Sequence, residues 1–525
     1  TYSLFRRAVE RGYAVVAQDA RGRYTSDGEF LPYQQEGKDG HDTIEWAAAQ
    51  SWSTGDVGTI GLSYPGAVQW LAAVEQPPHL KAMVPAMTFA SPFHFWYTGG
   101  VWDQSWVSWI WHNIAPDLRS RLARAPRSRQ KPGPLTAEEA RNAWAAQGRP
   151  LQEVRPLLAM DAFRGLAEWY YEWIRHPPGD DWWDWADLTD KYDRVSAAVL
   201  NLSGWHDEAY GPAGATTNFA GLAKARQGST DGVRGGAALV VGPWTHGIGP
   251  IGRTRSGERE MGPKAVLDYD ELVLRWMDRW VRGVKNGVDR EKPVRVYVMG
   301  ADRWLEADAW PIPRTTPQSF YLVGGSGNAK DGSLSTQPPR QGRVTTSFVS
   351  DPASPVRDLY AESPGAHDYR ALAVRQDVLV FDSEPLTRDL LVAGPIEAEI
   401  HLSTDAKDTD LWVRLLDVAP DGTAWNLMSP GLEVIRASYR NGGPARELLE
   451  PGRIYPLRLA NLVTANLFQR GHRVRVQIST AFAPHMSRNL HTGELEAESS
   501  DGVPAKITIH HDPERPSRIV LPVVR

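Results

Sequence analysis

The sequence of 525 residues contains no cysteine. Disulfide bonds, thiolate nucleophiles and zinc or iron–sulfur sites with cysteine ligands are therefore excluded, while a cytoplasmic and a secreted location both stay open. No stretch approaches about 18 uncharged apolar residues, so we expect no segment that spans a bilayer. Positive charge is not in excess, because 58 Lys and Arg stand against 63 Asp and Glu, a net charge of −5. Such a field repels phosphate backbones, so we expect no nucleic-acid partner.

What is present is the composition of a globular protein, with 42% apolar and 23% charged residues. The pattern of apolar, polar and turn residues changes at three points along the chain, which predicts four parts. Short apolar runs alternate with amphipathic segments over 1–92 and again over 188–313, which is typical of an α/β fold. The intervening 93–187 reads as a helical insertion that holds eleven of the 22 tryptophans, some of which we expect to line a pocket. From 314 to 525, short alternating runs between turn residues predict a β-sandwich of the jelly-roll type.

Five apolar runs are candidates for parallel strands covered on both faces. They are Tyr13–Ala17, Val57–Gly61, Met83–Ala86, Ala197–Leu202 and Ala237–Val241. Polar groups gather at the carboxyl ends of such strands, so the residues that follow these runs are the first candidates for chemistry.

Ser63 is the candidate nucleophile. It lies in Gly61-Leu-Ser-Tyr-Pro-Gly66, between an apolar strand and a predicted helix. A sharp strand-to-helix turn exposes a serine hydroxyl above the sheet, and the usual form is G-x-S-x-G. Here Pro65 occupies the place of the second glycine, so the motif is a variant.

Asp207 and His246 supply the other residue types that an activated serine needs. Each closes an apolar run, in Gly-Trp-His-Asp (204–207) and Gly-Pro-Trp-Thr-His (242–246). A histidine can take the serine proton, and an aspartate can fix the tautomer of that histidine. The chain order Ser63, Asp207, His246 is the α/β-hydrolase order. The sequence therefore predicts an α/β-hydrolase core with an inserted helical cap.

Other histidines of the sequence offer alternative roles. His206 adjoins Asp207, but neighbouring residues on an extended segment point in opposite directions, so we expect it to pack or to line the site. The β-rich tail holds His485, His491 and the His510-His511-Asp512 group. They lack an obvious third metal ligand, so we expect solvated histidines and no metal site.

Taken together, the motifs resemble those of the CocE/NonD serine hydrolases, in the X-Pro dipeptidyl-peptidase (S15) superfamily. The segments that carry the resemblance are 12–22, 26–30, 61–66, 204–207, 242–246, 294–300 and 516–522. The resemblance implies three domains, at the compositional breaks: an α/β-hydrolase core (1–92 and 188–313), a helical cap (93–187) and a C-terminal jelly roll (314–525).

The resemblance also implies roles. It makes Ser63 the nucleophile, His246 the general base, Asp207 its orienting carboxylate and the Tyr64 N–H an oxyanion donor. In the family a second donor is a tyrosine hydroxyl upstream of the Gly12–Gly22 segment. This sequence begins too late to contain that tyrosine, so we expect either a longer natural protein or another way of completing the oxyanion hole.

The substrate pocket follows from the same alignment of motifs. Gln18 and Trp96 match pocket-lining positions of the family. Ala209 stands where close relatives place an aromatic residue, and Glu208 and Tyr210 on either side of it are the further candidates for contact with substrate.

We expect a serine hydrolase that cleaves small carboxylic esters, with activated amides left open, through an acyl-enzyme and without metal or organic cofactor. The alternatives are an α-amino acid ester hydrolase or β-lactam acylase, or an X-Pro dipeptidyl-peptidase, in which Glu208 would face a substrate ammonium. A non-enzymatic alternative is a jelly-roll binding protein with a vestigial triad. A homodimer is left open.

Overall fold

The computed structural model describes residues 2–124, 133–227, 236–325, 330–340, 345–429 and 432–525. Within these ranges a six-stranded sheet has its strands side by side in chain order. They are β1 (Val57–Leu62), β2 (Leu80–Ala86), β3 (Ala198–His206), β4 (Ala237–Thr245), β5 (Val294–Val298) and β6 (Arg303–Ala307). Strands β1 to β5 are parallel, and β6 returns antiparallel to β5. Every residue of β3 is buried, as expected of a strand covered on both faces.

Helices cover both faces of this sheet and build the insertion between β2 and β3. The α-helices of the described ranges are α1 (Tyr2–Glu10), α2 (Glu36–Ala48), α3 (Tyr64–Val74), α4 (Pro92–Phe95), α5 (Trp106–Trp109), α6 (Ala115–Arg124), α7 (Ala137–Ala143), α8 (Glu168–Arg175), α9 (Ala213–Ala225), α10 (Ile248–Ile251) and α11 (Tyr269–Trp280). Short 3₁₀ or π turns lie at Ile110–Ile114, Trp144–Gly148, Arg149–Glu153, Leu157–Ala159, Asp181–Trp185, Tyr192–Arg194, Pro263–Ala265, Val288–Arg290, Tyr369–Val374 and Ala437–Tyr439.

The C-terminal part is the β-sandwich. In the described ranges its strands form one hydrogen-bonded network of 13 strands. They are Thr315–Val323, Gly332–Ser335, Thr345–Ser350, Leu379–Ser383, Leu390–Thr404, Asp410–Val418, Ala424–Asn426, Leu432–Arg436, Tyr455–Phe468, Arg473–Ser479, Ala505–Asp512, Arg515–Pro516 and Arg518–Val524. Two further hairpins of two-residue strands pair Tyr97–Thr98 with Val101–Trp102 and Arg255–Ser256 with Arg259–Glu260.

The sandwich is joined to the α/β sheet by backbone hydrogen bonds as well as by a shared apolar core. Met299, next to the end of β5, donates to Ala465 O at 3.0 Å and accepts from Leu467 N at 2.8 Å. Trp205 of β3 lies in the same hydrophobic cluster as the sandwich residues. The sandwich therefore helps to hold the carboxyl ends of the central strands in place.

One predicted strand does not form. The segment Tyr13–Ala17 is not part of any strand, and Val15 and Val16 are exposed. Within the described ranges no strand forms backbone hydrogen bonds with this segment. Its apolar side chains therefore do not belong to a sheet and are not buried under its helices. In the part of the chain that the structure describes, none of the helices has the length and apolar character that crossing a bilayer requires.

Candidate active site

Ser63 occupies a strained turn between β1 and α3. Its backbone has φ 67° and ψ −133°, a conformation that L-residues rarely adopt. Two glycines make the turn possible. A Cβ on Gly66 would lie 2.5 Å from Ala86 O, and one on Gly61 would lie 2.5 Å from Pro65 O. Strand and helix thus pass too closely for any side chain, and the turn lifts Ser63 out of the sheet.

Tyr64 begins α3, so its N–H lies in the first turn, where no intrahelical carbonyl can accept it. The phenol of Tyr64 is held by two hydrogen bonds. The hydroxyl donates to Glu36 Oε1 and accepts the N–H of Tyr33 at 3.1 Å. Burial raises the pKa of Glu36 to about 7. The turn that carries Ser63 is therefore braced by a buried carboxyl group and a buried tyrosine.

Asp207 and His246 meet at the carboxyl ends of the adjacent strands β3 and β4. The register places His206 opposite Thr245, so the next residues of the two strands come together. His246 Nδ1 lies 2.8 Å from Asp207 Oδ1, and the Asp207 side chain is wholly buried. The same oxygen accepts the backbone N–H groups of Ala209 at 3.0 Å and Tyr210 at 3.3 Å. These bonds fix the carboxylate that faces the imidazole.

The electrostatics of His246 is a balance. Desolvation is the largest single influence and lowers its pKa, but the charge and hydrogen bond of Asp207 and the charge of Glu208 together outweigh it, so the pKa is raised above its ordinary value. Glu208 Oε2 also accepts the His246 backbone N–H at 3.0 Å. The pKa of Glu208 is itself raised, first by burial and then by Asp207.

Ser63 and His246 line one cavity, of about 1310 Å³, between the α/β core, the cap and the sandwich. Near Ser63 the wall is aromatic, with Phe95, Trp106 and Trp109 from the cap. The far wall belongs to the sandwich and includes Tyr360 and His485. Such a space exceeds the roughly 300–1,000 Å³ usual for small ligands.

Tyr210 and Tyr33 also line this cavity. The two hydroxyl oxygens lie 2.9 Å apart. The Tyr210 ring stacks on Phe95 with centroids 4.3 Å apart and lies over His246 at 5.8 Å. Sequence reasoning missed Tyr33, because its loop position carried no motif; only folding brings it beside the predicted site.

In the described residues, no hydrogen bond joins Ser63 Oγ to the His246 imidazole. The Tyr210 side chain lies beside that of Ser63 instead, and both line the cavity. The predicted nucleophile and base therefore open into the same cavity, with a tyrosine beside both.

Two predicted pocket residues lie elsewhere. Gln18 is exposed and receives the Thr43 hydroxyl at 2.6 Å, in a separate shallow cavity beside α2. Trp96 is fully buried and packs on Trp106 and Trp183 inside the cap. Neither side chain lines the cavity that holds Ser63, because the unpaired segment 13–17 carries Gln18 outward and the cap core encloses Trp96. Contact of these two residues with substrate stays a prediction.

The tryptophans of the insertion divide as expected between core and cavity. Trp106, Trp109 and Trp144 line the cavity, whereas most of the others are buried among themselves. The buried ones contact each other edge-on or stacked, which stabilises the cap.

The histidines of the tail differ from expectation in part. His491 and His511 are buried rather than solvated, and His511 Nε2 lies 2.9 Å from Thr346 Oγ1. His206 is buried, as a packing residue would be, and burial lowers its pKa to about 4. Among the residues that the structure describes, no group of three or more metal-ligating side chains is found.

Comparison with known families gives two matches that together cover most of the chain. Residues 3–248 match the X-Pro dipeptidyl-peptidase (S15) family, and residues 286–520 match the X-Pro dipeptidyl-peptidase C-terminal non-catalytic domain.

Individual relatives agree with this. The chain is 34% identical to the cocaine esterase of Rhodococcus sp. (strain MB1 Bresler) over 536 residues, which span 98% of this chain and 89% of the relative. It is 26% identical to a putative serine esterase of Mycobacterium bovis, over 99% of this chain and 85% of the relative. A solved structure of an alpha-amino acid ester hydrolase superposes with a TM-score of 0.80 at 25% identity, over 99% of this chain and 87% of that one.

Proposed function

The chain belongs to the CocE/NonD serine hydrolases of the X-Pro dipeptidyl-peptidase (S15) superfamily, and from that premise we propose that Ser63, His246 and Asp207 are its catalytic triad and that it cleaves small carboxylic esters through an acyl-enzyme. The observation that carries the proposal is the Asp207–His246 contact of 2.8 Å beside Ser63 at the wall of one cavity. Because the family makes the chain a serine ester hydrolase, the alternative of a jelly-roll binding protein is set aside.

The first half of the reaction is acylation. Ser63 Oγ attacks the ester carbonyl carbon while His246 Nε2 takes the hydroxyl proton. Asp207 holds Nδ1–H, which leaves Nε2 unprotonated and ready to accept. The carbonyl oxygen gains negative charge and is stabilised by the Tyr64 N–H, which has no helical acceptor to compete for it. The alcohol then leaves with the proton from His246.

Deacylation repeats the sequence with water as the nucleophile. His246 takes a proton from water, the hydroxide attacks the acyl carbon, and Ser63 Oγ leaves and regains its proton. The Ser63–His246 hydrogen bond forms when substrate fills the cavity, since catalytic hydrogen bonds are often long in free enzymes.

The test is Ser63→Ala, assayed with a series of p-nitrophenyl esters and with a fluorophosphonate probe that labels activated serines. We expect loss of both hydrolysis and labelling with the thermal midpoint kept. Ser108→Ala is the matched control, because Ser108 lines the same cavity. An alanine variant at position 63 that still hydrolyses the esters would refute the proposal.

A second candidate is hydrolysis of α-amino acid esters, and Glu208 is the observation that favours it. This carboxylate follows Asp207 directly and lines the cavity. A substrate ammonium beside it would gain a charge-assisted hydrogen bond. Comparing an amino ester with its des-amino analogue, in wild type and in Glu208→Gln, separates the two: a preference for the amine that the substitution removes supports this candidate, and equal rates rule it out.

A further inference from the structure

Tyr210 is a side chain beside the reacting atoms for which the proposed mechanism has no use. Its hydroxyl oxygen lies 2.9 Å from the Tyr33 hydroxyl oxygen. Its side chain lies beside that of Ser63 in the wall of the same cavity. Its ring is clamped between Phe95, with centroids 4.3 Å apart, and His246, at 5.8 Å. A phenol held on both faces and at its oxygen has little freedom to leave this position.

Tyr33 is itself firmly placed, which makes it a suitable anchor. It is 1% exposed, its ring contacts the ring of Tyr64 with centroids 4.5 Å apart, and its N–H donates to the Tyr64 hydroxyl. Hydrogen bonds therefore connect Glu36, Tyr64, Tyr33 and Tyr210. Tyr210 and Ser63 both line the cavity at the end of this series.

On this arrangement, and resting on the proposed function, we propose that Tyr210 is a catalytic hydrogen-bond donor to Ser63 Oγ, oriented by Tyr33. Tyr33 donates its proton to the Tyr210 oxygen, and Tyr210 donates its own proton toward Oγ. The hydroxyl proton of Ser63 is then free for His246. As that proton moves to Nε2, negative charge develops on Oγ, and the Tyr210 donor stabilises it.

The same donor serves deacylation, because Oγ is then the leaving group and again gains charge. The donor differs in place from the oxyanion hole, which acts on the carbonyl oxygen through the Tyr64 N–H. Burial raises the pKa of Tyr210 above its ordinary value, so the phenol keeps its proton over the neutral range. No proton is transferred from tyrosine; the hydrogen bond strengthens and weakens as charge on Oγ comes and goes.

The experiment is Tyr210→Phe, which keeps the ring on Phe95 and His246 and removes only the hydroxyl. We expect kcat for p-nitrophenyl esters to fall about 10- to 100-fold with KM unchanged, because a hydrogen bond to a developing charge is lost. Fluorophosphonate labelling of Ser63 should slow by a similar factor, since that reaction also needs the charged Oγ.

Tyr33→Phe tests the orienting role. We expect a smaller fall, about 3- to 10-fold, and a double variant no slower than Tyr210→Phe alone within about twofold, because the two hydroxyls act as one unit. Tyr97→Phe is the matched control: its buried hydroxyl binds Trp173 O at 3.2 Å inside the cap. It should leave kcat and labelling unchanged.

Tyr210→Phe with full kcat overturns the proposal, and so does a loss confined to KM, which would make Tyr210 a substrate-binding residue instead. If Tyr210→Phe has a lowered thermal midpoint, the kcat and labelling rate of Tyr33→Phe are the test. The fall expected for that variant supports the proposal, and unchanged values overturn it. Ser63→Ala, measured alongside, distinguishes failure of the proposed function from failure of this inference. An active Ser63→Ala variant refutes the proposed function. An inactive Ser63→Ala together with a fully active Tyr210→Phe refutes only the role of Tyr210.

Discussion

Asp207→Asn removes one charge from the buried pair and gives the sharpest test of the proposed triad. The carboxylate receives His246 Nδ1 at 2.8 Å and two backbone N–H groups, and its side chain is wholly buried. All three donors point at the same oxygen, so the amide oxygen of the variant keeps the His246 Nδ1–H and both backbone N–H groups, and with them the catalytic tautomer. What the variant loses is the negative charge that stabilises the imidazolium formed when His246 takes the Ser63 proton.

The lost charge sets the magnitude. Leaving a buried charge, here the imidazolium of the transition state, without its partner costs about 3–5 kcal/mol. At about 1.36 kcal/mol per tenfold change this is a fall in kcat of about 10²- to 10⁴-fold. Asp103→Asn is the control, because Asp103 lines the same cavity and its carboxylate accepts only the Ser105 N–H at 2.8 Å among the described residues.

The pH profile supplies a second readout with a definite sign. The general base must be neutral, so kcat/KM rises with pH through the pKa of His246. The balance of desolvation against Asp207 puts that pKa above 6.5 in the wild type, so the acid limb lies above 6.5. Without the Asp207 charge, desolvation dominates and the limb moves to lower pH. A limb that stays in place or moves up, or a kcat within tenfold of wild type, would refute the reasoning.

Three further predictions concern the scaffold of the site. Burial raises the pKa of Glu36 from 4.5 to about 7, so between these pH values the folded state holds a proton that the unfolded chain releases. The free energy of unfolding therefore falls by about 3 kcal/mol as pH rises from 4.5 to about 7, and the contribution of Glu36 is constant above that. Because other buried acids such as Glu433 titrate in the same range, Glu36→Gln should reduce, by most of that amount, the difference in unfolding free energy between pH 5 and pH 7.5 measured in urea. An unchanged difference would contradict this prediction. Gly66→Ala places a Cβ 2.5 Å from Ala86 O, so we expect lost labelling of Ser63 even in the folded fraction; normal labelling would disprove the close contact. Arg436 binds Asp410 at 2.8 Å and Glu496 at 2.7 Å in the buried interior, so Arg436→Met should cost about 3–5 kcal/mol in chemical unfolding because it leaves buried carboxylates unpaired; a loss below about 1 kcal/mol would argue against it.

Much of the fold could be predicted from the sequence, because the signals are local. Parallel strands show as continuous apolar runs: Val57–Gly61 and Ala237–Val241 mark β1 and β4, although the structure extends them to Leu62 and Thr245. The extension of β1 is one leucine before the turn at Ser63, and that of β4 is Gly242-Pro-Trp-Thr245, where glycine and proline interrupt the apolar run. The exception is Tyr13–Ala17, whose apolar run looks the same but finds no partner strand in the described ranges.

Part of the candidate site could likewise be predicted from the sequence, and part could not. Ser63, Asp207 and His246 each follow a strand, so their residue types and chain order could be read directly, and their catalytic roles stay predictions until tested. Tyr33 could not be found, since nothing in its sequence neighbourhood indicates that its hydroxyl will meet Tyr210, 177 residues away. Trp96 shows the opposite case: a motif assigned it to the pocket, and packing buried it.

The amino-acid sequence by itself determined which residue types stand at the ends of the central strands and where the helical and β-rich regions begin, because strand burial, turn chemistry and chain order are properties of short segments. Tertiary structure alone decided which side chains surround the reacting oxygen. Contacts such as Tyr33 with Tyr210, or Glu36 with Tyr64, depend on how helices and loops pack over the sheet, and distances across that packing are not encoded in any local pattern.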